Sequence, residues 1–277
     1  MIRVGVSLSQ VHPSRMEELA VTADGLGFES LWLGEHLVFP MDMRGELVRG
    51  EKHNVKPTTP VFDVCAYLSW LAAKTSDVRL GTFVYLLGLR HPFVAARAFA
   101  TLDIVSGGRA EAGLGAGWLE TEWAAAGLDF STRGRRLDEA IDVCRALWSE
   151  PVVEHHGEFF DFDPVAFEPK PVQARIPVHI GGESPAALRR AARVAQGWLG
   201  LRHTPESARS QIARLRRFED EAGRSAAPVQ TTVIGDVTVD QPLQAWEEAG
   251  VDRLIVAPWT RSRDAVRGLE KLAREIY

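Results

Sequence analysis

Short apolar runs rich in β-branched residues alternate with longer amphipathic segments along the chain, and this alternation constrains the fold most strongly. The runs are too short for helices, whereas the segments between them repeat apolar residues every three to four positions. We predict strands over residues 2–8, 30–34, 78–86, 110–114, 177–180, 198–201, 230–235 and 252–257. We predict helices over residues 14–25, 61–75, 93–105, 135–148, 185–196, 205–221, 241–249 and 264–276.

Strands that alternate with helices form a parallel sheet, because two parallel strands need a long crossover between them. Eight such units can close into a barrel, whereas an open doubly wound sheet usually has fewer. We therefore predict an α/β fold, a (β/α)8 TIM barrel that spans residues 1–277 as one domain. Short insertions are predicted after strand 2, at 38–60, and after strand 4, where 152–162 resembles a hairpin turning at Gly157.

Composition argues against several functional classes. A net charge of −5 suits a phosphate backbone poorly, so no nucleic-acid partner is expected. The apolar run at the amino end is too short for a signal peptide or a membrane span. Cys65 and Cys144 fall in helical segments and indicate free thiols in a reducing, cytoplasmic compartment. The sequence lacks H-E-x-x-H, C-x-x-C and G-x-S-x-G motifs, which disfavours a metal site and serine hydrolysis.

Chemistry in such a barrel is expected at the carboxyl ends of the strands. The second predicted strand ends at Gly34-Glu35-His36, and His36 is our best candidate for proton transfer. Glu35 could hydrogen-bond a bound ring or a backbone amide. A lone histidine is, however, more often a structural residue.

Two glycine-rich turns follow later strands. In Gly181-Gly182-Glu183-Ser184-Pro185, Ser184 is predicted to cap the helix that Pro185 begins, leaving amides suited to a phosphate. A tight capped turn without a ligand is the alternative. The run from Gly113 to Trp118 lacks the dinucleotide spacing and would form either a small-residue floor for a flat ring or a close-packed strand end. We also expect Ser131 or Thr132 to cap the helix at 135–148.

Ordered motifs across the chain resemble the luciferase-like monooxygenase superfamily. They include Leu80-Gly81-Thr82, Arg90-His91-Pro92, Ala100-Thr101-Leu102-Asp103, Ser106-Gly107-Gly108-Arg109, Gly113-Leu114-Gly115-Ala116-Gly117-Trp118, Pro169-Lys170-Pro171 and Gly181-Gly182-Glu183-Ser184-Pro185. The resemblance runs from Gly5 to about Leu201. Within the superfamily, the sequence is most similar to the branch that uses coenzyme F420.

The resemblance implies a barrel whose mouth binds a reduced flavin or deazaflavin. It implies a bulge with a cis peptide bond at Phe83-Val84 behind the ring. The implied cofactor-binding residues are Glu35, Phe83, Val84, Gly115, Gly117, Gly181, Gly182, Glu183, Ser184 and Trp198, with the phosphate at the last glycine turn. Trp118 and Glu122 are expected to line the substrate side.

The activity implied is F420-dependent hydride transfer to a C=C, C=N or C=O bond, or the reverse from an alcohol. His36 would give or take the proton, and Glu35 would orient it or contact the cofactor. An FMN-dependent monooxygenase that uses O₂ is the alternative, and a non-catalytic flavin-binding paralogue is a second. Relatives imply a homodimer and a separate reductase that supplies reduced cofactor. The basic residues Arg44, Arg49, Lys52 and His53 of the 38–60 loop would meet an anionic ligand or lie in solvent.

Overall fold

The computed structural model describes residues 2–9, 11–47, 53, 55–224 and 227–277. Parallel strands in this part of the chain form a closed barrel. They are β1 (Arg3–Ser7), β2 (Ser30–Leu33), β3 (Arg79–Thr82), β4 (Ala110–Leu114), β7 (Val178–Gly181), β8 (Gly197–Gly200), β9 (Gln230–Ile234) and β10 (Arg253–Val256). Each strand pairs with the next along the chain, and β10 closes on β1 with Arg3 opposite Arg253. The predicted barrel is confirmed.

Helices cover the outside of the barrel. They are α1 (Pro13–Gly25), α2 (Val64–Ala72), α3 (Pro92–Val105), α4 (Glu120–Ala125), α5 (Arg133–Ser149), α6 (Pro185–Val194), α7 (Pro205–Glu221), α8 (Leu243–Glu248) and α9 (Ala265–Ile276). Helix α4 was not predicted, because its few residues are too short a window to show helical periodicity. Cys65 on α2 and Cys144 on α5 are buried free thiols, as predicted.

The N-cap of α5 is Thr132, one of the two residues predicted, but its side chain makes no capping hydrogen bond. A 3-10 turn precedes the helix, and Asp129 caps that turn by accepting from the Ser131 amide at 2.8 Å. The side-chain capping hydrogen bond is therefore made by Asp129 in the turn before α5, and not by the N-cap residue of the helix.

Both predicted insertions are present. Strands β5 (Val153–His156) and β6 (Asp161–Val165) form an antiparallel hairpin, closed where the Gly157 amide donates to the Phe160 carbonyl at 2.9 Å. The described residues of the 38–60 loop contain no helix or strand, apart from an isolated bridge between Gly45 and Leu119.

Buried charges fill the interior near the amino ends of the strands. Arg253 lies 3.0 Å from one Glu111 oxygen, and His179 Nε2 lies 2.8 Å from the same oxygen. Arg79 pairs with the other Glu111 oxygen, and Glu29 pairs with Arg253 at 2.6 Å. Burial alone would raise the pKa of Glu111, but the positive charges of Arg253, His179 and Arg79 outweigh it and hold that pKa well below its ordinary value.

An apolar layer separates these charges from the mouth of the barrel. The Trp32 ring crosses the interior and would lie 2.4 Å from any Cβ placed on Gly81, which explains glycine in the neighbouring strand. Leu199 and Ile255 pack with Trp32 in one buried cluster. The partly buried side chains of Phe83, Val84 and Ile234 pack against that cluster. Because each follows or ends a strand at its carboxyl end, they form an apolar floor beneath the mouth.

Candidate active site

The two titratable residues that follow β2 have different surroundings. The Glu35 side chain is fully buried, and its carboxylate accepts two hydrogen bonds from Arg90, both 2.8 Å long. Its Oε1 also accepts from the Leu86 amide at 2.8 Å. Burial raises the pKa of Glu35, and Arg90 and the amide oppose that shift. Glu35 therefore holds the segment after β3 in place. Glu35 does not pair with His36, and the backbone-amide contact that we gave as an alternative is present, whereas its contact with a cofactor stays a prediction.

His36 faces the opposite way and contacts Glu122. Its Nδ1 lies 2.8 Å from Glu122 Oε2, and the His36 side chain is 16% exposed. Its ring packs at 4.4 Å from Phe39 and edge-on to Trp118 at 5.7 Å. Within the described ranges no hydrogen bond engages its Nε2, the ring nitrogen that does not contact Glu122.

Glu122 does not line the substrate side as predicted. Its side chain is fully buried on α4, and Oε1 accepts from the Leu37 amide at 2.6 Å and the Val38 amide at 3.2 Å. It lies behind His36, where it has no free surface. No local pattern predicts this pairing, because the two residues are 86 positions apart.

A bulge after β3 forms the floor of the mouth. The peptide bond between Phe83 and Val84 is cis, as the resemblance implies. A Cβ on Gly115 would lie 2.4 Å from Val84, and one on Gly181 would lie 2.6 Å from it. Glycine is therefore needed at Gly115, which follows β4, and at Gly181, which ends β7, to leave room for the Val84 side chain. Gly115 packs closely against Val84, as expected if the run from Gly113 to Trp118 forms a close-packed strand end.

The turn after β7 has the predicted helix cap. The Ser184 hydroxyl accepts from the Ala187 amide at 3.2 Å, with Pro185 in the first turn of α6. Gly182 has φ +125°, which other residues rarely adopt, and its carbonyl accepts from Trp198 Nε1 at 2.9 Å. Trp198 is fully buried beneath this turn, and its contact with the cofactor stays a prediction.

Glu183 faces β8 from the same turn. Its Oε1 accepts from the Leu201 amide at 2.7 Å and lies 3.2 Å from His203 Nε2. Its Oε2 accepts from Gln211 at 2.9 Å. The carboxylate thus joins the turn to the end of β8. Its two oxygens are used there, which leaves the backbone amides and the Ser184 hydroxyl as the groups suited to an anion.

Trp118 lies between the mouth and the 38–60 loop. It is half-buried, and its ring contacts His36 on one side and His53 at 4.6 Å. The loop is docked nearby, because the Glu120 amide donates to the Arg44 carbonyl at 2.8 Å. The Arg44 side chain pairs with Asp42 at 3.0 Å. The predicted basic residues Arg49 and Lys52 lie outside the described residues.

Two concave surfaces lie outside the barrel. One, of about 530 Å³, lies between α3, α5 and β6, and the other, of about 460 Å³, lies along α2 and the residues just before it. Both are lined mainly by apolar groups and contain no residue that follows a barrel strand. No group of three or more potential metal ligands occurs in the portion described, nor any helix long and apolar enough to cross a bilayer.

Comparison with known proteins identifies the family. The model of the luciferase-like monooxygenase family matches residues 2–276. The chain belongs to this family. Among luciferase-like relatives, an uncharacterized protein of Mycobacterium tuberculosis is 31% identical over 271 residues, covering 93% of each chain. An F420-dependent glucose-6-phosphate dehydrogenase of Kineococcus radiotolerans is 31% identical over 248 residues, covering 87% of this chain and 69% of that protein.

Solved structures share the luciferase-like barrel. The coenzyme F420-dependent tetrahydromethanopterin reductase of Methanopyrus kandleri superposes with a TM-score of 0.79 at 19% identity, covering 99% of this chain and 98% of that one. The oxygenating constituent of 3,6-diketocamphane monooxygenase of Pseudomonas putida, in complex with FMN, superposes with a TM-score of 0.65 at 15% identity, covering 84% and 66%. Proteins named for F420 and a protein bound to FMN therefore share this fold.

Proposed function

We propose that this chain is an F420-dependent oxidoreductase that transfers a hydride between the deazaflavin and a small organic substrate. The observation that carries the proposal is the open Nε2 of His36 at the mouth of the barrel, where the apolar floor and the capped glycine turn also lie. The 31% identity to an F420-dependent dehydrogenase favours F420 over FMN. A separate reductase would supply reduced cofactor, and we expect a homodimer.

The residues present fit a flat ring that carries a phosphate. Phe83, Val84 and Ile234 offer an apolar surface for the ring and keep water from it. At Gly182 a side chain would be strained, and an added Cβ would lie 3.0 Å from Ala187, so the backbone there is free for close approach. The Ser184 and Ala186 amides and the Ser184 hydroxyl would hold the phosphate.

When bound, reduced F420 supplies a hydride to a polarised double bond, and in reverse the oxidised form accepts one from an alcohol. For a carbonyl substrate, the His36 ring protonated on both nitrogens would give its Nε2 proton to the oxygen as the carbon receives the hydride. In reverse, the same nitrogen takes the proton from the alcohol. Trp118 would bound the substrate beside His36, since its ring edge contacts that imidazole.

Paired titrations with F420 and with FMN, following quenching of each fluorophore, test the proposal. We expect F420 to bind and FMN to bind far more weakly. A Gly182→Ala variant should weaken F420 binding about tenfold, or about 1.4 kcal/mol. Gly223→Ala is the matched control, because Gly223 also has positive φ but has no atom within 4 Å of an added Cβ. Tight FMN binding without F420 binding would instead favour an O₂-dependent monooxygenase, and binding of neither would refute both.

A further inference from the structure

A fully buried carboxylate lies directly behind the candidate catalytic histidine. Glu122 receives three contacts, from the Leu37 and Val38 amides at Oε1 and from His36 Nδ1 at Oε2, where the distance is 2.8 Å. Within the described chain, no arginine or lysine pairs with it. Such a carboxylate needs donors on both oxygens to remain inside the protein.

These contacts determine which nitrogen of His36 carries the proton. The two amides can only donate, so Oε1 must accept. An ionised carboxylate has no proton to give, so Nδ1 donates its proton to Oε2. The neutral ring then has its lone pair on Nε2. This tautomer is not the one that a free histidine in water prefers.

We propose that Glu122 is a positioning residue that keeps His36 protonated on Nδ1 and so reserves Nε2 for proton exchange with substrate. The part of this inference that concerns substrate rests on the proposed function. The part that concerns the tautomer rests only on the contacts of Glu122.

The same carboxylate fixes the start of the 38–60 loop. Its two amide contacts hold Leu37 and Val38, and the residue before it, Thr121, accepts from the Arg44 amide at 3.2 Å. Arg44 and Gly45 also pair with the segment that begins α4. One short segment, 119–122, therefore orients the His36 ring and anchors the loop that follows it.

The substitution Glu122→Gln makes a sharp test. The Gln oxygen can still accept from the two amides, which turns its NH₂ group toward His36 Nδ1. That nitrogen must then accept, so the ring proton moves to Nε2. Glu120→Gln is the matched control, because Glu120 lies on the same turn of α4 with an exposed side chain.

Nitrogen-15 NMR of the histidine rings reads the tautomer without any cofactor. We expect the neutral His36 ring, assigned with a His36→Gln variant, to carry its proton on Nδ1 in the wild type and in Glu120→Gln. In Glu122→Gln it should carry the proton on Nε2. A wild-type ring protonated on Nε2 would overturn the proposal, and this result does not depend on whether Glu122→Gln folds.

Turnover separates this inference from the proposed function. We expect Glu122→Gln to lower kcat for alcohol oxidation about tenfold or more with KM nearly unchanged, since a neutral ring that carries its proton on Nε2 cannot accept the alcohol proton there, while the binding surface is kept. An unchanged kcat in a variant with the switched tautomer would overturn the catalytic role. If no F420-dependent turnover occurs in the wild type, the proposed function fails, while the NMR result still decides the tautomer.

Discussion

At the amino end of the barrel, Glu111 has both oxygens paired with arginine or histidine, and Arg253 is paired with two carboxylates. At the carboxyl end, His36 has one ring nitrogen paired and the other open. At the amino end the charged groups pair with one another in a largely buried layer. At the carboxyl end, one imidazole nitrogen and the Ala186 amide at the start of α6 have no partner among the described residues. Charged groups that pair with one another indicate a structural role, whereas unpaired donors and acceptors at the end of a strand indicate a binding site.

The largest expected effect is the loss of proton transfer at the open end. His36→Gln removes the titrating nitrogen and should lower kcat about 100- to 10,000-fold, because general acid–base catalysis contributes about that much. Steady-state turnover of reduced F420 with carbonyl substrates would measure it. His156→Gln on the exposed β5–β6 hairpin is the control and should be neutral. A His36 variant with wild-type turnover would remove His36 from the mechanism.

Breaking the closed network should instead reduce stability. Glu111→Gln leaves Arg253 and Arg79 without their shared carboxylate inside the barrel, and we expect a loss of about 3–5 kcal/mol in the free energy of unfolding. Denaturant unfolding would measure it. Glu18→Gln, which breaks the surface pair with Arg15, should cost about 1 kcal/mol or less. Equal losses in the two variants would contradict the contrast between a buried network and a surface pair.

The effect of Glu111→Gln on the free energy of unfolding should also depend on pH. Because the folded-state pKa of Glu111 lies below its ordinary value of 4.5, its stabilisation is complete above that pH and is lost as pH falls toward the folded value. The gap in unfolding free energy between wild type and Glu111→Gln should therefore narrow from about pH 6 to about pH 3. A gap that stays constant or widens in acid would show that the carboxylate is not the stabilising species.

Two helix caps allow a finer comparison. Ser184→Ala at α6 and Thr204→Ala at α7 each remove a side-chain cap and should each cost about 1 kcal/mol of stability. Only Ser184→Ala should also weaken F420 binding, since only that cap belongs to the proposed phosphate turn. Thermal unfolding and fluorescence titration of both variants would measure the two effects. Equal binding by both variants would argue against a phosphate at this turn.

The barrel was predictable from sequence because strand and helix periodicities alternate locally, and the cap at Ser184 because its signal lies within a few residues. The side-chain pairings between residues far apart in the sequence were not predictable in this way. Glu35 follows β2 beside His36, yet it pairs with Arg90, and His36 pairs with Glu122 from α4. The charges at residues 29, 111, 179 and 253 come from separate strands or the residue before one, and in the sequence each resembles a local polar interruption. Only closure of the barrel brings them together.

Hydrogen–deuterium exchange with and without F420 tests the contrast between the two ends most directly. We expect slower exchange on F420 binding in segments 34–38, 83–86 and 181–187 at the carboxyl end. We expect no change in segments 28–30, 109–111 and 252–254 at the amino end. Protection confined to the amino end or to the outer concave surfaces, or F420 binding with no protection at the mouth, would contradict the placement of the site.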